Sequence, residues 1–111
     1  MAEPRLKAGL WVKAALRLGD GEGRPGAVLR RGDADSGSVL VVVRSPAGVS
    51  VLSPVRAGDG EAAWLRATGE APVTDEAADA YVQRQVSRDP DIWVIEFTGP
   101  DLAPPFDAKI V

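Results

Sequence analysis

The sequence contains no cysteine and no histidine. Without thiols there can be no disulfide, no thiol nucleophile and no iron–sulfur ligation, and without imidazole most transition-metal sites lose their usual donors. Histidine is also the side chain that most often serves as a general base near neutral pH. We therefore expect no cofactor and no metal.

Long apolar runs are missing as well. The longest, Val39–Val43, has five residues, whereas a membrane-spanning helix needs about 20. The first residues, Met1–Arg5, open with an acid and lack the apolar core of a secretory signal, and Lys7 and Lys13 interrupt the sequence that follows. The sequence thus predicts a cytoplasmic protein that has no membrane partner.

The charges that are present are unevenly distributed. Residues 1–56 carry nine basic and five acidic side chains, a net of +4, and residues 57–111 carry four and eleven, a net of −7. Either the halves neutralise each other in the fold, which we favour, or a positive patch meets an anionic partner. Nucleic-acid domains are usually basic overall, and the net charge of −3 does not favour a nucleic-acid partner.

Apolar residues at helical spacing predict a first helix over about residues 6–18, although an alternating, strand-like pattern also fits its beginning. Leu6, Leu10, Ala14 and Leu18 form the apolar stripe, and such a stripe faces the core of a globular protein. The glycine-rich run Gly19–Gly23 is expected to break the helix and form a flexible loop.

The remaining elements are predicted from apolar patterning and from cap and turn residues. Strands are expected at residues 27–31, 39–44, 49–54 and 92–97, a short helix from Asp59 through Ala67, and a longer helix from Thr74 to about Arg88. The two most apolar strands, Val39–Arg44 and Ile92–Phe97, should lie near the centre of the sheet. The strand at 49–54 alternates polar and apolar residues, which indicates a position near an edge.

This element order, α-β-β-β-α-α-β, predicts an α+β fold with a mostly antiparallel four-stranded sheet and helices packed against it. A chain of 111 residues matches one domain. We assign residues 1–98 to a single α+β domain and residues 99–111 to an extended, proline-containing C-terminal tail.

The only plausible anion-binding set consists of arginines near the first strand. Arg24, Arg30 and Arg31, with Lys13 and Arg17 on the first helix, could form it. Aromatic side chains that could stack on bases are not obvious beside these cations.

Two acidic positions are candidates for chemistry. Glu96 shares a strand face with apolar residues, so it should need a partner, and Arg44, Arg30 or Arg31 could supply an ion pair. We favour this structural pair, Glu96 with Arg44, over a catalytic carboxylate. The run Asp33–Ser38 offers alternate oxygen donors but lacks the further acids of a calcium loop, so it predicts an Asx turn.

Three segments, Leu6–Val12, Val28–Asp33 and Arg88–Glu96, resemble a family of small bacterial proteins known as a domain of unknown function, DUF1491. The last segment, Arg-Asp-Pro-Asp-Ile-Trp-Val-Ile-Glu, is the most specific. The resemblance covers most of the chain and implies a compact cytoplasmic bacterial domain. It implies no activity, ligand or catalytic residue.

No catalytic residue can be assigned, which favours a non-enzymatic protein-interaction module or a small homo-oligomer. An edge strand or the tail could pair with the sheet of a partner protein or of a second copy. The alternatives are an anion- or RNA-contacting domain that uses the arginines, and a small-molecule enzyme that uses Glu96.

Overall fold

In the computed structural model, residues 6–111 are described, and they form two helices and one five-stranded sheet. The elements in chain order are α1 (Ala8–Gly21), β1 (Gly26–Arg30), β2 (Val39–Ser45), β3 (Gly48–Arg56), β4 (Ala62–Arg66), α2 (Asp75–Arg88) and β5 (Trp93–Thr98). The strands lie in the order β1-β5-β2-β3-β4. Strands β2 and β5 are parallel, and the other neighbours are antiparallel. Residues 1–5, on which the expectation against a secretory signal rests, lie outside the described residues.

The two helices cover opposite faces of the sheet. Alternate residues of β2 separate the two sides: Val41 packs in the core on the α1 side, and Val42 packs in the core on the α2 side. Because both faces are covered, the central strands β2 and β5 can be apolar on both sides. The predicted α+β class and the central position of these two strands are confirmed, with five strands in place of four and one parallel pair.

The second helix and the strand after it follow the sequence signals closely. The Thr74 hydroxyl accepts a hydrogen bond from the Ala77 amide at 3.2 Å and so caps α2. The helix ends at Arg88, two residues before Pro90, which cannot continue it. Trp93 is 4 % exposed and packs in the core on the α1 side.

The short helix predicted from Asp59 is wrong, because residues 62–66 are strand β4. The Asp59 carboxylate accepts from the Glu61 amide at 3.0 Å, so it stabilises a turn and caps no helix. The strand is fixed by pairing with β3, where Pro54 is opposite Trp64. A run of five residues containing two alanines carries little local preference that could outweigh this pairing.

The first helix is where the sequence predicts it, but it presents the other face to the sheet. Its buried residues are the small ones Ala8, Val12, Ala15 and Gly19, whereas Leu10 and Leu18 are 55 % and 48 % exposed. Gly19 does not break the helix, which continues to Gly21. A Cβ at Gly19 would lie 2.8 Å from the Phe97 ring, so glycine is what lets α1 approach the sheet closely.

Strand β3 is not at an edge, contrary to the expectation. It lies between β2 and β4, and Val49 through Leu52 are all buried. Ser50, which suggested a solvent-facing side, is fully buried, and its hydroxyl accepts from an Arg66 guanidinium N–H at 3.2 Å. Because this hydrogen bond lets a serine be buried, the alternation of polar and apolar residues in β3 does not mark a solvent-facing side.

The residues after β5 pack back onto the α1 side of the sheet. Leu102 and Phe106 join the core on that side, and the Trp64 amide donates to the Lys109 carbonyl at 2.8 Å. Within residues 6–111, neither helix has the length and apolar character needed to cross a membrane.

Candidate functional site

The β1 edge of the sheet is exposed along its length. Strand β1 pairs only with β5 among the described residues, and Ala27, Val28 and Leu29 are all exposed, the last two by 42 % and 53 %. An edge strand presents unpaired N–H and C=O groups, which makes it a template for a further strand. Here that template is bordered by apolar side chains.

The pairing pattern shows which backbone groups of β1 point outward. The Thr98 amide donates to the Pro25 carbonyl at 3.0 Å, and the register continues with Gly26 opposite Phe97, Ala27 opposite Glu96 and Val28 opposite Ile95. Hydrogen-bonded and non-hydrogen-bonded pairs alternate in an antiparallel ladder. The N–H and C=O groups of Gly26 and Val28 therefore face away from the sheet.

A groove runs between this edge and α1. It has a volume of about 340 Å³ and is lined by Lys7, Gly9, Leu10, Lys13, Val28, Arg31, Ala34, Asp35 and Trp93. Leu10 contributes from the helix, Val28 from the strand and Trp93 from the core. The groove thus joins the exposed apolar stripe of α1 to the open edge of β1.

Basic side chains surround the groove. Lys7 forms an ion pair with Asp35 at 3.6 Å, and the Arg31 guanidinium lies 5.8 Å from the centre of the Trp93 ring, within cation–π range. Lys13 has no ion-pair partner among residues 6–111. The groove therefore combines an apolar lining with cations at its border.

The three arginines predicted as an anion site contact different partners. Arg24 is engaged with Asp101, Nη2 to Oδ1 at 2.9 Å, and its side chain is only 15 % exposed. Arg30 donates to the Pro90 carbonyl at 2.7 Å, and its Nε is buried with no partner among the described residues. Of the three, Arg31 alone lines the groove.

Glu96 lies beside Arg44, and Asp75 contacts the same guanidinium. Arg44 Nε donates to Glu96, and Nη1 donates to Asp75. Burial opposes ionisation of the guanidinium, but the hydrogen bonds to Asp75 and Glu96 outweigh it and raise the pKa of Arg44 above its ordinary value. A groove of about 600 Å³ nearby is lined by Arg44 and Asp75 but not by Glu96. This geometry ties β2, β5 and the start of α2 together.

The loop at Asp33 is an Asx turn. Its carboxylate accepts from the Asp35 and Ser36 amides at 2.8 and 3.0 Å, and these bonds lower the pKa of Asp33. Within the described part of the chain, no three acidic side chains are grouped as metal ligands would be.

Sequence reasoning missed the groove because it assigned Leu10 to the core. The signal that was available is the second apolar series in the first helix, Ala8, Val12, Ala15 and Gly19, which also recurs at helical spacing. When one helix carries two apolar series, only one of them can face the core. In α1 the series with the smaller side chains packs between the helix and the sheet, and the series that contains Leu10 is exposed.

The comparisons with known proteins concern nearly the whole chain. The model of the family described as "Protein of unknown function (DUF1491)" matches residues 6–107. A crystal structure and an NMR structure of a DUF1491 family protein from Caulobacter crescentus are similar, with TM-scores of 0.86 and 0.84 and identities of 32 % and 30 %. The alignment with the crystal structure covers 96 % of this chain and 100 % of the crystallised chain. The alignment with the NMR structure covers 98 % of this chain and 99 % of the chain studied by NMR. A solution structure from A. tumefaciens has the same fold at 22 % identity, with a TM-score of 0.79 over 97 % of this chain and 96 % of that one. Among curated proteins, none matches this chain.

Proposed function

Because the chain belongs to the DUF1491 family, whose description names no activity, we propose a function from its surface: it is a non-enzymatic protein-interaction module. The open edge of β1 receives an extended segment of another polypeptide, which adds a sixth strand to the sheet. The observation that carries this proposal is the apolar, unpaired edge of β1 beside the exposed Leu10. The proposal also places the protein in the cytoplasm. The location of a tagged copy in cells would test this.

Main-chain pairing would supply the general affinity for such a segment. The outward N–H and C=O groups of Gly26 and Val28 can each bond to a partner strand, and in strand addition these bonds act together with pockets for alternate side chains. The register of β1 against β5 shifts between Val28 and Arg30, which marks a bulge. A bulge disrupts the edge locally, so the regular template is short and suits a brief segment.

Burial of the apolar border adds to this pairing. Leu10, Val28 and Leu29 are each about half exposed, and complete burial of such a side chain gains roughly 1.5–3 kcal/mol. Covering the exposed half of each would therefore contribute about 1 kcal/mol per residue. Native edges are usually protected by lysine, proline or a covering segment, and among the described residues no strand pairs with the outer side of β1.

The substitution Leu29→Lys tests the proposal, because lysine on an edge strand is a natural block against pairing. Since Leu29 is 53 % exposed, the variant should fold normally and lose its partner. Leu65→Lys is the matched control, because Leu65 is 42 % exposed on β4 at the other end of the sheet.

Each protein would be used for affinity capture from its native cells, followed by light scattering and amide hydrogen exchange of the recovered complex. We expect a stoichiometric partner with the wild type and with Leu65→Lys but not with Leu29→Lys, and slower exchange of the Val28 amide in the complex. A monomer that retains no partner, or a partner retained equally by both variants, would show the proposal to be wrong.

A further inference from the structure

The groove beside β1 also constrains what kind of segment can bind. Its lining offers apolar contacts from Leu10, Val28 and Trp93, and its border offers Lys13 and Arg31. A volume of about 340 Å³ is at the low end of ligand pockets, and it has room for a large side chain of a bound strand. The groove can therefore accept an apolar group of a ligand at its centre and an anionic group of the same ligand at its border.

The charge around the groove favours an acidic partner. The lining of the groove carries three basic side chains, Lys7, Lys13 and Arg31, and one acidic side chain, Asp35, a net of +2, in a chain whose net charge is −3. Within residues 6–111, neither Lys13 nor Arg17 forms an ion pair. Complementary charge across an interface speeds association and excludes wrong partners.

The same charge disfavours a second copy as the occupant. Antiparallel pairing of β1 with β1 of another molecule would bring together two grooves whose linings each carry a net charge of +2, and like charges in close contact are unfavourable. Nucleic acid would satisfy the cations, but it would leave the apolar lining and the outward backbone groups of β1 without a match.

We propose, on the basis of the function above, that the bound segment is an extended peptide of another protein that is both apolar and acidic. A large apolar side chain, such as Leu, Ile, Met or Phe, enters the groove between Leu10 and Val28. An Asp or Glu two positions away lies on the same face of the added strand, because side chains alternate, and pairs with Lys13 or Arg31.

Three synthetic nine-residue peptides test this proposal. All carry a central leucine in an alternating Thr/Val background, and the residues two positions before and after it are Glu in the first, Gln in the second and Lys in the third. Binding is followed by the amide shifts of β1 at low salt and at high salt. We expect the Glu peptide to bind roughly threefold to tenfold more tightly than the Gln peptide, and this advantage to shrink as salt screens the charges.

Two charge-reversal variants locate the effect. Lys13→Glu should remove the preference for the Glu peptide and improve binding of the Lys peptide. Arg84→Glu, which changes an exposed residue of α2 on the opposite face, should leave the order of the three peptides unchanged. The fold of each variant is checked by its amide spectrum.

The outcomes separate this inference from the proposed function. Equal binding of the three peptides, lost in Leu29→Lys, would overturn the acidic preference and leave the edge as a strand-binding surface. No shift of the β1 amides with any peptide would overturn both. Competition between cellular RNA and the Glu peptide at equal stoichiometry, or a dimer that the Glu peptide does not dissociate, would assign the surface to those occupants and overturn the inference.

Discussion

At the β4 edge of the sheet, residues 109–111 of the same chain provide the next main-chain pairing, whereas at the β1 edge no described residue does so. The Trp64 amide donates to the Lys109 carbonyl at 2.8 Å, and the Val111 amide donates to the Trp64 carbonyl at 2.9 Å. Lys109 also forms ion pairs with Asp59 and Glu61 at 3.0 and 3.1 Å. One edge is thus paired at Trp64 within the molecule, and we call it the closed edge, whereas the other is open.

Aromatic packing holds residues 106–111, the covering segment, in place against β4. The Phe106 ring lies 5.1 Å from Trp11, 5.4 Å from Trp64 and 6.4 Å from Phe97, between ring centres. These distances are within the range of favourable aromatic pairs. The chain therefore uses both side chains and backbone at the β4 edge, so exposure of the other edge is a specific property of β1 and not a general feature of the sheet.

The largest effect is expected at Trp93, which connects the core to the open edge. Trp93→Ala should lower the free energy of unfolding by about 3–5 kcal/mol, because it empties a large aromatic site that is only 4 % exposed. A domain of this size has a stability of roughly 5–15 kcal/mol, so much of the variant could be unfolded at growth temperature. Urea unfolding measures the change. An unaltered midpoint together with lost partner binding would instead make Trp93 a surface anchor.

A smaller effect is expected at the closed edge, where Phe106→Ala should make the two edges more alike. Phe106 is only partly buried, so the loss should be roughly 2–3 kcal/mol, below the usual range for a fully buried phenylalanine. Without its aromatic anchor the covering segment should detach from β4, and the protein should self-associate as its concentration rises. Urea unfolding and light scattering measure both effects. Phe106→Leu, which keeps most of the volume, should retain a monomer, and an equally stable, monomeric Phe106→Ala would contradict the argument.

Sequence signals were sufficient where they are local. The cap at Thr74, the stop at Pro90 and the apolar strands around Val41 and Ile95 depend on residues close together in the chain, and the structure confirms them. Strand β4 was missed because its conformation depends on β3 and on the Lys109 carbonyl, which lie outside any local window. Pairing of this kind is what makes strand preference dependent on context.

The surface around β1 could be predicted only in part. The sequence shows a short apolar strand and nearby basic residues, but its place at the end of the sheet depends on the strand order. The exposure of Leu10 depends on Gly19 and Ala15 letting α1 lie close to Phe97. These are long-range packing choices, and the helical period alone does not decide between two apolar series on one helix.

The smallest effect concerns pH at the closed edge, where titrating groups hold the covering segment to β4. The pKa of Asp59 is lowered below its ordinary value of 3.8, first by the hydrogen bond from the Glu61 amide and then by Lys109. The pKa of Lys109 is raised above its ordinary value of 10.5 by its bonds to Asp59 and Glu61. A lowered carboxyl pKa contributes stability above the unfolded value, which is lost as pH falls through the folded value. A raised lysine pKa contributes stability below its unfolded value, which is lost as pH rises through the folded one.

The attachment of residues 109–111 should therefore be firmest at pH values between the lowered pKa of Asp59 and the raised pKa of Lys109, and it should loosen in acid. Amide shifts of Trp64 and Val111, followed from neutral pH to below 3.8, should move toward values of an unpaired strand, whereas the Ala27 and Val28 amides at the open edge should move much less. Asp59→Asn keeps an oxygen acceptor for the Glu61 amide and removes the titrating charge, so its acid transition should be reduced. If Trp64 and Val111 respond identically in Asp59→Asn and in the wild type, the charge of Asp59 does not control the loosening of this edge in acid.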